Sequence, residues 1–211
     1  MKKKVVIFDL DGTLSDSIHS IKYSGDRTME KFGYGPFSEE QYKYFVGDGA
    51  RNLVKRALAA GGDTELAHFE EAYALYREIF RENCMYRVRP YEGIPELLAT
   101  LKVQHVKIAV LSNKPHAETV NVVETLYGKG YFDVIEGQKE GLAIKPSPDG
   151  VFRILERLSL GAEDLLYLGD TGKGAGAFTV GALWGFRDRA ELEEGGADAV
   201  IEHPLELLRF T

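Results

Sequence analysis

The sequence has very little cysteine and lacks a long apolar run. Cys84 is the only cysteine, which excludes an internal disulfide and suits a reducing compartment. Residues 2–4 are basic, but the apolar run of four residues between them and Asp9 is too short for a signal peptide. No stretch is long enough to span a bilayer. We therefore expect a cytoplasmic protein that does not contact membranes.

The chain also lacks an excess of positive charge. Its 211 residues carry a formal net charge of −7, which argues against general binding to nucleic acid. The five histidines show no spacing typical of metal ligands. With 44% hydrophobic and 28% charged residues, the composition is that of a globular protein with one large domain or two modest ones.

The most informative stretch is DLDGTL at residues 9–14. It directly follows Val5–Phe8, an all-apolar run that predicts a buried strand. Asp9 and Asp11 therefore lie where that strand ends, a position in which carboxylates are costly unless they serve a cation or catalysis. In parallel α/β folds, active sites also lie at the carboxyl ends of strands. A lone Asp-x-Asp would fit a capping turn, so the later segments of the chain decide between the two interpretations.

Residues 16–84 have the periodicity of helices. An apolar face begins at Ile18, the SEEQ segment from Ser38 has the spacing of a capping box, and two glycines at 61–62 end another apolar stretch. The DT pair at 63–64 can cap the helix that follows. This region is expected to be a helical bundle with no strands.

From residue 90 onward, strands and helices alternate. Such alternation predicts a parallel sheet with helices on both faces. Because the strand that carries the carboxylates precedes the helical bundle, the bundle is an insertion. The expected fold is α/β, with a core formed by residues 1–15 and 85–211 and an all-helical cap at 16–84.

DLDGTL resembles the first motif of the haloacid dehalogenase superfamily, most of whose members are phosphatases. The resemblance implies a Rossmann-like core with an inserted cap, and the overall pattern is most similar to phosphoglycolate phosphatases. By this resemblance Asp9 is the nucleophile that forms an aspartyl-phosphate, and Asp11 is the general acid and base. Gly12 would let the backbone approach the phosphoryl group.

Two later segments resemble the superfamily's second and third motifs. Ser112 and the amide of Asn113 follow a predicted strand and would bind phosphate oxygens. Alone, Ser112 would fit a turn residue or a helix cap better; its position after a strand, about a hundred residues past Asp9, favours phosphate binding. Lys145 precedes Pro146, which holds it in a loop, and it would offset the negative charge of Asp9 and the phosphate. Lys114 matches the motif more loosely and is interpreted as a solvated lysine.

A further acid, Asp170, ends another predicted strand. The resemblance implies that it binds Mg²⁺ together with Asp9 and the main-chain carbonyl of Asp11, since magnesium prefers oxygen ligands. In the cap, Arg51 follows a Gly-Asp-Gly turn and is a candidate for binding a substrate carboxylate or second phosphate. A solvated arginine is an equally good interpretation.

The segment after Asp170 departs from the family pattern. Gly174 stands where a second acid is usual, and about six residues before an Ala-Gly pair are absent. Strands 165–168 and 178–180 should be parallel neighbours, yet a parallel crossover needs about a dozen residues. Three explanations are open: the protein has residues here that the sequence omits, the loop is shortened by deletion, or the last strands join the sheet differently.

These features predict a phosphoric monoester hydrolase that requires Mg²⁺ and acts on a small phosphorylated metabolite as a monomer or homodimer. A phosphosugar mutase of the same superfamily is the nearest alternative. A dehalogenase is disfavoured, because those relatives lack an acid at the position of Asp11. A phosphate-binding or regulatory protein with impaired catalysis is favoured only if the loop after Asp170 is truly shortened.

Overall fold

The computed structural model describes residues 2–169 and 176–211, and these form a parallel sheet with a helical insertion. The strands are β1 (Val5–Phe8), β2 (Ser15–Asp16), β3 (Arg89–Pro90), β4 (Lys107–Pro115), β5 (Val134–Gln138), β6 (Leu165–Leu168), β7 (Phe178–Ala182) and β8 (Ala199–Ile201). The helices are α1 (Ile18–Glu30), α2 (Glu39–Phe45), α3 (Gly49–Gly61), α4 (Phe69–Asn83), α5 (Ile94–Val103), α6 (His116–Tyr127), α7 (Asp149–Leu158) and α8 (Arg189–Glu194).

The main sheet has six parallel strands in the order β5-β4-β1-β6-β7-β8. In this register Phe8 lies beside Val110 of β4 and beside Leu168 of β6. β1 is therefore central, and the residues that follow it emerge between the carboxyl ends of two neighbouring strands. This confirms the expected α/β fold and puts Asp9 at the sheet edge where α/β proteins keep their sites.

The two faces of β1 belong to separate apolar clusters. Val6 and Phe8 pack on the side that contains α5 and α6, while Val5 and Ile7 pack on the side that contains α7. All four side chains are fully buried. A strand covered on both faces reads as a continuous apolar run, which is why this segment shows no alternation.

The insertion between β2 and β3 consists of α1 to α4. The predicted capping box is present, since Ser38 Oγ accepts a hydrogen bond from the Gln41 amide and Gln41 Oε1 accepts one from the Ser38 amide. The expectation of no strands in residues 16–84 is wrong at its first residue, because Asp16 belongs to β2, which pairs with β3 in a two-stranded antiparallel ladder at the ends of the insertion. This ladder joins the insertion to the core.

One helix of the insertion begins later than the sequence predicts. Asp63 does not cap α4 directly. Its carboxylate accepts hydrogen bonds from the amides of Ala67 and His68 and stabilises the turn that precedes the helix. None of the described helices is both long and apolar enough to cross a bilayer.

Two strands of the core also differ from the sequence expectations. β4 continues to Pro115 rather than ending at Leu111, and β5 begins at Val134 rather than Phe132. β6 and β7 are parallel neighbours, with Leu166 beside Phe178. This confirms the expected pairing and removes the explanation in which the last strands join the sheet differently. The altered part of the fourth motif, at 170–175, lies outside the described residues.

Candidate active site

Asp9 lies at the carboxyl end of β1 and is almost completely buried. Its amide donates to the carbonyl of Leu168, which fixes the backbone between β1 and β6. One carboxylate oxygen accepts a hydrogen bond from the Leu10 amide at 2.7 Å, and the other lies 2.7 Å from Lys145 Nζ. Because both side chains are over 90% buried, this ion pair is largely shielded from solvent screening. The structure thus joins two residues that are 136 positions apart in the sequence.

Asp11 is the second carboxylate of the site and has two partners. Its Oδ1 accepts a hydrogen bond from Ser17 Oγ at 2.5 Å and lies 2.6 Å from Lys114 Nζ. Ser17 directly precedes α1, so the insertion contributes one of the groups that orient this carboxylate. Ser17 is not among the site residues predicted from the sequence. The signal in the sequence was the presence of a serine hydroxyl six residues after Asp11, close enough along the chain to reach its carboxylate.

Ser112 and Asn113 lie on the extended end of β4 and play different parts. Ser112 is buried, accepts a hydrogen bond from the Lys114 amide and lines the cavity beside Asp9. The Asn113 side chain is occupied by backbone groups: its amide donates to the carbonyls of Gly47 and Lys145, and its Oδ1 accepts from the Lys145 amide. The Asn113 side chain therefore links β4 to the backbone of Gly47 and Lys145. Its main-chain amide remains the candidate for binding phosphate.

These residues form the floor of a small cavity of about 60 Å³. The insertion covers the cavity, and Gly47 and Gly49, at the turn before and at the start of α3, line it from above. The remaining groups from the insertion are mostly apolar: Ile21, Val46, Ala50, Leu53, Tyr76 and Phe80.

Two predicted substrate-binding residues do not line this cavity. The Arg51 guanidinium is exposed, where it stacks on the rings of Phe69 and Tyr73 and pairs with Glu70 at 3.0 Å. The expectation that Arg51 binds substrate is therefore not supported. Gly12 has a φ of +76°, and a Cβ there would lie 2.9 Å from the ring of Phe186. This packing against Phe186 leaves no room for a side chain at Gly12.

The prediction that Lys114 is solvated is wrong. Its side chain is 3% exposed, lies on the cavity wall and pairs with Asp11, so it is not solvated. The ammonium also lies 5.3 Å from the centre of the Phe80 ring. The available signal was its position two residues after Ser112, because residues i and i+2 of a strand share a face.

The floor has donors that fit a magnesium ion. Asp9 and Asp11 supply hard oxygen atoms, and the charges of these two carboxylates cancel those of Lys114 and Lys145. A phosphate dianion would unbalance the site, and a divalent cation would restore the balance. Among the described residues, no group of three or more His, Cys, Asp or Glu is arranged to hold a metal. The third predicted ligand, Asp170, lies outside the described residues. Gly169 packs closely against Asp9, since a Cβ at Gly169 would lie 2.8 Å from the Cβ of Asp9.

Comparisons with known proteins agree with this geometry. Residues 6–177 match the haloacid dehalogenase-like hydrolase family. The chain is 33% identical over 214 residues to a phosphoglycolate phosphatase of Aquifex aeolicus, covering 98% of this chain and 96% of the relative. It is 28% identical to an N-acetylmuramic acid 6-phosphate phosphatase of Pseudomonas aeruginosa, covering 99% and 94%. A crystal structure from Lactobacillus delbrueckii, provisionally assigned as a phosphoglycolate phosphatase, has a TM-score of 0.89 at 27% identity and covers 98% of this chain and 97% of its own.

The parallel sheet, the helical cap and the acidic floor between them define a haloacid dehalogenase-like hydrolase, and the chain belongs to that family. Within the family it is a phosphatase, a phosphoric monoester hydrolase similar to phosphoglycolate phosphatases.

Proposed function

We propose that this protein is a Mg²⁺-dependent phosphatase that hydrolyses a small phosphorylated metabolite of the phosphoglycolate type through an aspartyl-phosphate on Asp9. The observation that carries the proposal is the buried pair between Asp9 Oδ2 and Lys145 Nζ, 2.7 Å apart on the cavity floor. Burial of a carboxylate is costly, and the lysine offsets that cost while leaving the carboxylate ionised for attack.

In the first step, one oxygen of Asp9 attacks phosphorus and the bond from phosphorus to the ester oxygen breaks. Lys145 also donates to Tyr167 Oη at 3.2 Å, so the ammonium is fixed before substrate arrives. A fixed positive charge in a water-poor site stabilises negative charge on the transferring phosphoryl group without reorganisation. Ser112 lines the same floor and supplies a hydroxyl for a phosphoryl oxygen.

Asp11 handles the proton in both steps. Protonated, it donates to the ester oxygen as that oxygen leaves, and the alcohol is released. Ionised, it accepts a proton from a water molecule that attacks phosphorus, and the bond between Asp9 and phosphorus breaks to give inorganic phosphate. Ser17 and Lys114 hold the carboxylate in place for this work. Such general acid–base catalysis typically contributes about 100- to 10,000-fold to a rate.

Magnesium, when bound by Asp9, the main-chain carbonyl of Asp11 and Asp170, would neutralise the phosphate so that an anionic carboxylate can approach it. Asp9 and Asp11 belong to the described site, and their oxygen donors suit this ion. Asp170 enters the proposal from the sequence alone.

A small substrate is favoured by the cap. The cap closes over the floor with bulky apolar side chains, including Leu53 and Phe80, and leaves a cavity suited to a compact leaving group. The relative with the higher identity is named for phosphoglycolate, whereas the relative named for a larger amino-sugar phosphate is 28% identical. Both observations favour the smaller ester.

Phosphate release from a panel of phosphorylated metabolites tests this proposal. We expect release in Mg²⁺, loss of release in EDTA, and loss in Asp9→Asn. Asp149→Asn is the matched control, since Asp149 begins α7 and does not line the cavity. Release that is unchanged by EDTA would refute the metal requirement. Transfer of the phosphoryl group back to the substrate in the presence of a bisphosphate, without hydrolysis, would instead indicate a mutase.

A further inference from the structure

Lys114 is a buried ammonium with unused capacity to donate hydrogen bonds. An ammonium has three N–H donors, yet Asp11 Oδ1 is its one hydrogen-bond acceptor among residues 2–169 and 176–211. With the side chain only 3% exposed, bulk water supplies few further acceptors. Buried polar groups are normally satisfied. The remaining donors therefore point to an acceptor that occupies the cavity.

The position of Lys114 assigns that acceptor to one part of the substrate. Lys145 pairs with Asp9, the residue that attacks phosphorus in the proposed reaction, whereas Lys114 pairs with Asp11, which delivers a proton to the leaving group. A cation 2.6 Å from Asp11 Oδ1 therefore lies on the leaving-group side of the cavity.

The cap provides no competing cation on that side. Within the described part of the chain, none of the residues that the cap contributes to the cavity is charged. Tyr76 has a polar group there, but burial and the nearby carboxylates of Asp11 and Glu118 raise the pKa of its phenol, so it stays neutral. Arg56 is held by the carbonyl of Phe45 and by Asp48.

An anion on the leaving group would thus meet Lys114 beneath a cap whose contribution to the cavity is mostly apolar. The Phe80 ring covers the ammonium and helps exclude water from it. Removing water strengthens the attraction between opposite charges. A neutral leaving group would gain much less from the same lysine.

We propose that Lys114 determines substrate specificity by binding a carboxylate of the leaving group. This inference rests on the proposed phosphatase function and adds the group that recognises the substrate. Lys114 thus takes the role that the sequence suggested for Arg51, whose side chain does not line the cavity. The favoured substrates are small phosphate monoesters of hydroxy acids.

Two esters that differ only in the recognised group test this proposal. 2-Phosphoglycolate has the carboxylate, and 2-hydroxyethyl phosphate has a hydroxymethyl group in its place. The quantity measured is the ratio of their kcat/KM values in the wild type and in Lys114→Met. Lys107→Met is the matched control, because Lys107 is on the same strand but is 55% exposed and pairs with Asp133.

We expect Lys114→Met to lower the ratio by about 10- to 100-fold, the usual range for a hydrogen bond to a charged group. Lys107→Met should leave the ratio unchanged. An equal loss for both esters would overturn the proposal and leave Lys114 with only the positioning of Asp11, or with binding of the phosphoryl group. If Lys114→Met is inactive, dissociation constants of both esters measured in Asp9→Asn, with and without Lys114→Met, give the same ratio. A wild type inactive on both esters would instead contradict the proposed function.

Discussion

The side-chain amide of Asn113 donates to the main-chain carbonyl of Gly47 at 2.9 Å, and this bond joins the core sheet to the cap loop. The same side chain forms two hydrogen bonds with the backbone of Lys145, at 3.1 and 2.8 Å. One residue therefore positions both the loop that covers the cavity and the lysine that pairs with Asp9.

Asn113→Ala should weaken the site and the fold together. The substitution leaves the buried amide of Lys145 without its acceptor, and such a loss costs about 1–3 kcal/mol. We expect the free energy of unfolding to fall by that amount and kcat/KM to fall by at least about tenfold, because small misplacements in a site are costly to the rate. Denaturant unfolding and steady-state kinetics measure these effects. Asn52→Ala is the control, since among the described residues its side-chain amide donates locally, to the carbonyl of Asp48 just before its own helix.

Arg187→Ala should loosen the closed cap. The guanidinium is on the core and donates to the carbonyls of Lys43 and Val46 in the cap, at 2.7 and 2.8 Å. Without these bonds, we expect a higher KM and faster hydrogen exchange of amides in residues 43–47, because cap closure becomes less favourable. Exposed Arg189 provides the matched control variant, Arg189→Ala. Equal exchange rates in wild type and Arg187→Ala would rule out this role.

Gly12→Ala should be more destabilising than Gly33→Ala. Both glycines have φ near +77°, which costs an L-residue about 1–2 kcal/mol. A Cβ at Gly33 would meet no atom within 4 Å, whereas one at Gly12 would approach the Phe186 ring to 2.9 Å. The difference between the two unfolding free energies therefore isolates the packing of Phe186. We expect it to be at least about 1 kcal/mol, as for other overpacked contacts, and equal values would contradict this packing.

Stability should decline as His116 becomes protonated. Burial and the positive charges of Lys139 and Arg157 lower the pKa of His116 from 6.5, although Glu136 acts against them. The unfolded chain therefore binds this proton more readily, so the stabilisation is complete above about pH 6.5 and is lost as the pH falls through the folded-state pKa. The neutral ring accepts a hydrogen bond from the Gly137 amide.

His116→Asn separates this titration from others. The asparagine oxygen can accept the same hydrogen bond but does not titrate in this range. Urea unfolding between about pH 7 and pH 5 should show a smaller loss of stability in the variant than in the wild type. Parallel pH profiles for the two proteins would show that another group is responsible.

The architecture could be predicted from the sequence because local patterns of residues determine its helices and strands. The apolar run of β1, the capping box at Ser38 and the alternation after residue 90 are set by short-range periodicity and predicted the sheet and the helical insertion. The start of α4 was missed because Asp63 stabilises a turn before the helix rather than its first residue. Cytoplasmic location and assembly as a monomer or homodimer stay predictions.

The site was only partly predictable, because tertiary packing decides which groups each of its side chains contacts. Asp9, Ser112 and Lys145 were identified from motifs, and the structure brings them to one cavity. The burial of Lys114 and the outward stacking of Arg51 depend on how the cap packs on the core. Sequence spacing contains no information on that packing, so Lys114 was wrongly taken as solvated and the two interpretations of Arg51 could not be separated.

Acid quenching during turnover with 2-phosphoglycolate and Mg²⁺, followed by peptide mass spectrometry, tests the role of Asp9. We expect one added phosphoryl group on the peptide that contains Asp9, and neither this adduct nor turnover in Asp9→Asn. Undiminished turnover in Asp9→Asn, or a phosphoryl group on a different residue, would contradict the proposed nucleophile.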